Sequence, residues 1–189
     1  MQYRILMGMS RVICWLPHSC LLFLGSFLGH LYYYLIKKQR NLAIHQMMAS
    51  LQISEKQARK TVMDSFVNMG QNVLEIMYMP HLSKQNFKDY IEIEHLERLT
   101  GALSEGHGVV ILTGHIGTWE WLSAALTFSD LPVTAIAKPQ PNEQYTRVLN
   151  DLRATVGVEI FSRGTSELLA AARALKKGKI LGFLADQDA

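Results

Sequence analysis

From about Asp89 onward the chain alternates short apolar runs with helix-length amphipathic stretches, and no other feature constrains the fold as strongly. "YIEIE" (90–94) has the period-two pattern of a strand, and "HLERLTGALSEG" (95–106) reads as a helix closed by Gly106. "VVILT" (109–113) is a continuous apolar run, expected to be a buried strand. A helix from about Thr118 to Phe128, a strand at "VTAIA" (133–137), a helix from about Asn142 to Val156 and a strand at "VEIF" (158–161) follow. A helix from Ser166 to Lys177, stopped by Gly178, and a strand at "ILGFLA" (180–185) complete the run. Strands separated by helices of this length imply βαβ units, so the expected class is α/β, with a mixed or mostly parallel sheet flanked by helices.

The residues before this region read differently. From Val12 to Ile36, "VICWLPHSCLLFLGSFLGHLYYYLI" is nearly uncharged, and Lys37, Lys38 and Arg40 follow at once. A cleaved secretory signal needs small residues where Tyr32, Tyr33 and Tyr34 stand. A lipoprotein signal needs an aliphatic residue three positions before its cysteine, and Pro17-His18-Ser19 precedes Cys20. Residues 1–40 are therefore expected to be an uncleaved membrane-anchoring segment with a hydrophobic helix, spanning or lying in the interface, and a buried core helix is the weaker alternative. Pro17 starts the helix at Leu16 or later. The cations after the segment outnumber Arg4 and Arg11 before it, which places residues 41–189 on the cytoplasmic face.

Ser54 and Gln57 have the spacing of a capping box. Ala58, Val62, Phe66, Met69, Val73 and Ile76 follow at helical intervals up to Pro80. The methionines of this helix, Met63, Met69, Met77 and Met79, fit a lipid-facing surface, but ordinary core filling is the simpler reading. A net charge of +3 spread along 189 residues gives no nucleic-acid groove, though it suits an anionic lipid surface. Cys14 and Cys20 are the only cysteines and form neither a metal-ligand spacing nor a disulfide framework.

The chemistry concentrates in "ILTGHIGTWEW" (111–121). A strand ending at Thr113 delivers His115 to a turn made by Gly114 and Gly117, with a helix beginning near Thr118. This is the crevice at the carboxyl edge of a sheet where α/β folds bind ligands. A histidine before a helix N-terminus is disfavoured as the imidazolium and stays available as a neutral base. Glu120 is near enough in sequence to accept a hydrogen bond from the other ring nitrogen and fix its tautomer. A loop histidine followed by a helix-start glutamate that merely suits the dipole fits the same residues equally well. The chain has no G-x-S-x-G elbow, H-E-x-x-H pair, phosphate-binding lysine loop or dinucleotide fingerprint. With no nucleophile beside it, His115 is read as activating a substrate hydroxyl directly.

"GHIGTWEW" resembles the H-x4-D/E motif of the lysophospholipid acyltransferase superfamily, and specifically its bacterial lipid A biosynthesis branch of lauroyl and myristoyl acyltransferases. The resemblance extends through "RNL" (40–42), the helix ending at Pro80, "LNDLRATVGVEIF" (149–161), "ALKKGKILGF" and the terminal "ADQD". It implies a glycerol-phosphate-acyltransferase-like fold at the bacterial inner membrane. It also implies transfer of a fatty acyl chain from an acyl carrier protein thioester to a hydroxyl of a lipid A precursor. His115 would then be the general base and Glu120 its orienting partner. Arg153 would bind phosphate, Asp186 would shape the same site, and the backbone around Gly114 and Gly117 would stabilise the oxyanion. The reaction requires no cofactor or metal, and no nucleic acid is involved. Relatives continue well past the "DQ" pair, so the chain is expected to be the N-terminal portion of such an enzyme. The alternatives are an acyltransferase for another glycolipid or lysophospholipid, and a non-catalytic membrane-bound piece.

Overall fold

The computed structural model describes residues 1–162 and 165–186. The chain divides into two compact units, one formed by Met1–Cys14 with Ile76–Ala189 and the other by Trp15–Glu75. These boundaries differ from a division at residue 40.

The Trp15–Glu75 unit is helical: α2 (His18–Leu35), α3 (Lys37–Leu51) and most of α4 (Glu55–Tyr78), while α1 (Gln2–Ile13) belongs with the other unit. Pro17 sits at the N-cap of α2, where a missing N–H costs nothing. The expected capping box opens α4: Gln57 N–H donates to Ser54 Oγ at 3.4 Å, and Ser54 N–H donates to Gln57 Oε1 at 3.1 Å. Tyr33, Ile44, Ala58 and Val62 form the core, with Met63 packed against it. Met77 and Met79 are also buried, so three of the four methionines fill core and only Met69 is exposed. Among the described residues no single helix is long and apolar enough to cross a membrane. The pair His18–Leu35 and Lys37–Leu51 meets length and composition together, but is bent by 92°.

In the other unit, α5 (Leu96–Ser104), β1 (Val109–Thr113), α6 (Trp119–Phe128), β2 (Val133–Ala137), α7 (Glu143–Thr155), β3 (Glu159–Ser162), α8 (Thr165–Lys176) and β4 (Ile180–Leu184) follow in order. Gly106 and Gly178 end α5 and α8 with φ near +80°, a conformation that favours glycine. Asn142 caps α7 by accepting the Gln144 N–H. All strand pairs are parallel, in the order β1-β4-β2-β3, as the βαβ alternation requires. One face of the sheet packs on α8 through Phe161, Ala171, Ala174 and Leu181. The other packs Val133 and Ile180 against Leu126 of α6 and the leucines of α5.

Two expectations are corrected here. Residues 90–94 form no strand; they follow a 3-10 turn at Phe87–Asp89. Their alternation half-buries Ile91 and Ile93 and exposes Glu92 and Glu94, which an extended segment achieves without a ladder. "VVILT" is a strand but not a buried one. It lies at the edge of the described sheet, and its Val110 and Leu112 are 47% and 71% exposed, because α8 covers the same face over β2, β3 and β4 and leaves β1 open.

Candidate active site

Register builds the site. Because β1 and β4 are parallel and aligned Thr113 to Leu184, the residues just beyond each strand also lie side by side. The Ala185 N–H donates to Thr113 O at 3.0 Å and carries the ladder one step further. Asp186 thereby reaches the turn after β1, where its Oδ2 accepts the backbone N–H of His115 and its Oδ1 meets His115 Nδ1, each at 2.8 Å. Gly114 makes room for this: a Cβ there would stand 3.2 Å from the Asp186 carboxyl carbon. Gly117 turns the chain with φ +54°, in the left-handed region. The ring of Trp119 lies edge-on to the imidazole at 4.7 Å. The His115 side chain remains 31% exposed and open to a substrate.

The Asp186 carboxyl is held below the usual carboxylate range, first by the His115 backbone N–H and then by its ring. A carboxylate fixed on Nδ1 selects the tautomer with its hydrogen there, leaving Nε2 as the basic nitrogen.

Glu120 was expected on that ring and has another partner. From the first turn of α6 its carboxylate receives Arg153 in a fork: Nε donates to Oε2 at 2.8 Å and Nη2 to Oε1 at 2.6 Å. The two side chains are 8% and 14% exposed, and Arg153 Nη1 also reaches Asn150 Oδ1. The reason is helical geometry. The first turn of α6 directs residue 120 inward, toward the last turn of α7, while His115 lies on the loop before the helix. The structure therefore brings His115 together with Asp186, and Glu120 with Arg153. Asp188, the second acid of "ADQD", lies outside the described residues.

Beside the ion pair, a cavity of about 70 Å³ runs between the sheet and α6. Thr113, Trp119 and Leu184 line it toward the carboxyl edge, and Leu126, Val133 and Ile180 line its far end. Ala135 and Gly182, small residues on this face of the sheet, also line it. It is an apolar slot whose charged wall is self-neutralised.

Sequence reasoning did not anticipate the aromatic cluster behind α6. His81 Nδ1 donates to Cys14 O at 3.0 Å, its Nε2 pairs with Tyr90 Oη at 3.2 Å, and its ring stacks on Tyr78 at 4.5 Å. Trp121 packs on both tyrosines. Burial pushes the Tyr78 hydroxyl pKa well up, so it stays a neutral donor and acceptor. This cluster seats the helix turn that carries Glu120.

Compared with known proteins, residues 2–189 match the family model described as bacterial lipid A biosynthesis acyltransferase. No curated protein matches the chain.

Proposed function

The chain belongs to the bacterial lipid A biosynthesis acyltransferase family, and from that premise we propose that it moves a fatty acyl chain from an acyl carrier protein thioester to a hydroxyl of a lipid A precursor. Family membership makes it an acyltransferase of lipid A biosynthesis. The donor, the O-acyl chemistry, the acceptor and work at the cytoplasmic face of the inner membrane are our proposal.

One observation carries the mechanism: Asp186 holds both the backbone N–H and Nδ1 of a solvent-accessible His115. His115 Nε2 takes the proton from the acceptor hydroxyl, whose oxygen attacks the thioester carbonyl. Asp186 orients the ring and offsets the imidazolium as it forms. The Gly114 and Gly117 backbone N–H groups, in the turn before α6, stabilise the tetrahedral oxyanion, since those of His115 and Ile116 already serve Asp186 and the Gly114 carbonyl. Collapse of the intermediate breaks the carbon–sulfur bond, and the thiolate leaves with little acid assistance. The orienting role thus passes from Glu120 to Asp186, and Glu120 with Arg153 holds the wall of the slot that receives the acyl tail. Arg153 contacts phosphate only in exchange for part of that pairing.

The test compares His115→Ala, Asp186→Asn and Glu120→Gln with the parent, using an acyl carrier protein donor and either a lipid A precursor or lysophosphatidic acid as acceptor. His115→Ala should lower turnover by about 10²–10⁴-fold. Asp186→Asn should lower kcat more than it raises KM. Unchanged turnover in the His115 variant removes the base, and acylation of lysophosphatidic acid alone removes the lipid A acceptor.

A further inference from the structure

We propose that α2 lies flat in one leaflet of an anionic membrane and does not cross it. The inference rests on the reading of a membrane-working acyltransferase and fixes how the chain meets its membrane.

α2 has two faces. Its inner stripe, Leu21, Gly25, Gly29 and Tyr33, repeats every fourth residue and is buried. Along that stripe α4 approaches at backbone distance. A Cβ on Gly25 would meet Gln71 Cα at 2.6 Å, one on Gly29 would collide with the Phe66 carbonyl oxygen, and one on Gly70 would collide with the Gly25 carbonyl oxygen. Gln71 Nε2 donates to Ser26 Oγ at 2.8 Å, His18 pairs with Glu75 at 3.0 Å, and Tyr33 meets Phe66 edge-on. The two helices are therefore locked along most of α2, from His18 to Tyr33.

That lock decides the topology. Any bilayer depth reached by α2 is also reached by α4 beside it, and residues 62–75 of α4 include Asp64, Ser65, Asn68, Gln71, Asn72 and Glu75. Carrying these through hydrocarbon is strongly unfavourable, so the pair does not span. The outer face of α2 asks for lipid all the same. Phe23 (77% exposed), Phe27, Leu31, Tyr34 and Leu35 form an apolar surface about 18 Å long. An interfacial helix satisfies both faces, immersed on one side and backed by a polar helix on the other.

Charge identifies the occupant. No acidic residue precedes Glu55, whereas Arg4, Arg11, Lys37, Lys38 and Arg40 do. Lys37 and Lys38, exposed at the start of α3, follow the apolar face of α2 directly in the chain, an order that suits anionic headgroups above an acyl layer.

The experiment uses the full chain in membranes of expressing cells, with Cys14→Ser and Cys20→Ser as background. Ser19→Cys, in the first turn of α2, and Gln39→Cys, in the first turn of α3 just past the other end of α2, are treated with a membrane-impermeant maleimide. Both should react in inside-out vesicles and neither in spheroplasts; reaction of either in spheroplasts means a span and overturns the proposal. Phe23→Glu/Phe27→Glu should weaken binding to vesicles of phosphatidylethanolamine and phosphatidylglycerol by at least about tenfold. Lys37→Glu/Lys38→Glu should lose binding only where phosphatidylglycerol is present. Unchanged binding in the Phe23/Phe27 variant, or no vesicle binding by the parent, assigns the face to a protein partner and overturns the proposal. Acyl transfer in detergent micelles separates the two readings. The Phe23/Phe27 variant should keep it, and the acyltransferase reading fails only if the parent chain lacks it.

Discussion

Removing Arg153 while leaving Glu120 in place tests the construction of the site most directly. Both side chains are nearly excluded from water, and two parallel hydrogen bonds of 2.6 and 2.8 Å join them beside an apolar slot. Arg153→Ala leaves the carboxylate in the wall of this apolar slot with no compensating charge. Breaking one side of such a pair costs about 3–5 kcal/mol, whereas replacing both partners by neutral groups of similar volume is often close to neutral. We therefore expect Arg153→Ala to lose about 3–5 kcal/mol, and Glu120→Gln/Arg153→Met to stay within about 1 kcal/mol of the parent. With a urea dependence of about 1–3 kcal/mol per molar, a 3 kcal/mol loss moves the unfolding midpoint by roughly 1–3 M. Trp119 and Trp121 flank Glu120 and provide the fluorescence signal once Trp15 is replaced by Phe. A loss below about 1 kcal/mol for Arg153→Ala refutes the buried-pair reasoning. So does a double variant no more stable than Arg153→Ala, because the cost would then lie in lost packing.

Four other outcomes follow. Gly70→Ala should destabilise the α2–α4 contact by about 1–3 kcal/mol, because backbone rather than a flexible side chain opposes the new methyl. Gly8→Ala, with nothing within 4 Å and a helical position, should raise thermal stability by about 0.5–1 kcal/mol. The Asp186 carboxyl, followed by carbon-13 NMR, should titrate below the ordinary aspartate range, held down first by the His115 backbone N–H and then by its ring. Since its pKa is lowered on folding, its stabilising contribution is present above the unfolded value and lost as pH falls through the folded one. His115→Ala should raise that pKa only partly, because the backbone N–H, the larger cause, remains. Gly182→Val fills the slot on the central strand, and each methylene of donor that no longer fits should cost about fourfold in kcat/KM.

The strands of the sheet and the helices between them were legible because their periodicities and glycine stops are local properties. Gly106, Gly178 and Asn142 mark helix ends by conformations they favour for their own reasons. The 90–94 segment misled because alternating burial fixes which side chains face inward, not whether a neighbouring strand exists. His115 was legible as a crevice residue, since a strand, a glycine turn and a helix start are contiguous in the chain. Its carboxylate partner was not. Residues 115 and 120 are neighbours in sequence, whereas 115 and 186 become neighbours only through the parallel register of β1 and β4. Family resemblance supplied Asp186 and Arg153 as site residues without saying which acid each basic group would meet. The lock between α2 and α4 was equally hidden, because Gly25, Gly29 and Gly70 acquire meaning only when two distant helices are brought together.

The placement of β4 has a consequence for synthesis. In the described sheet β1 pairs with β4 alone, yet β4 is the last of the four strands to leave the ribosome. Until residues 180–184 emerge, Val109–Thr113 has no ladder, and β2 with β3 can form only a two-stranded fragment beside it. Such a nascent chain displays an unpaired apolar edge, the kind of surface that chaperones hold and aggregates recruit. Once β4 inserts, the same event closes the sheet and sets Asp186 against His115. Folding and assembly of the proposed base are therefore one step, and a chain that has not finished folding has no organised base.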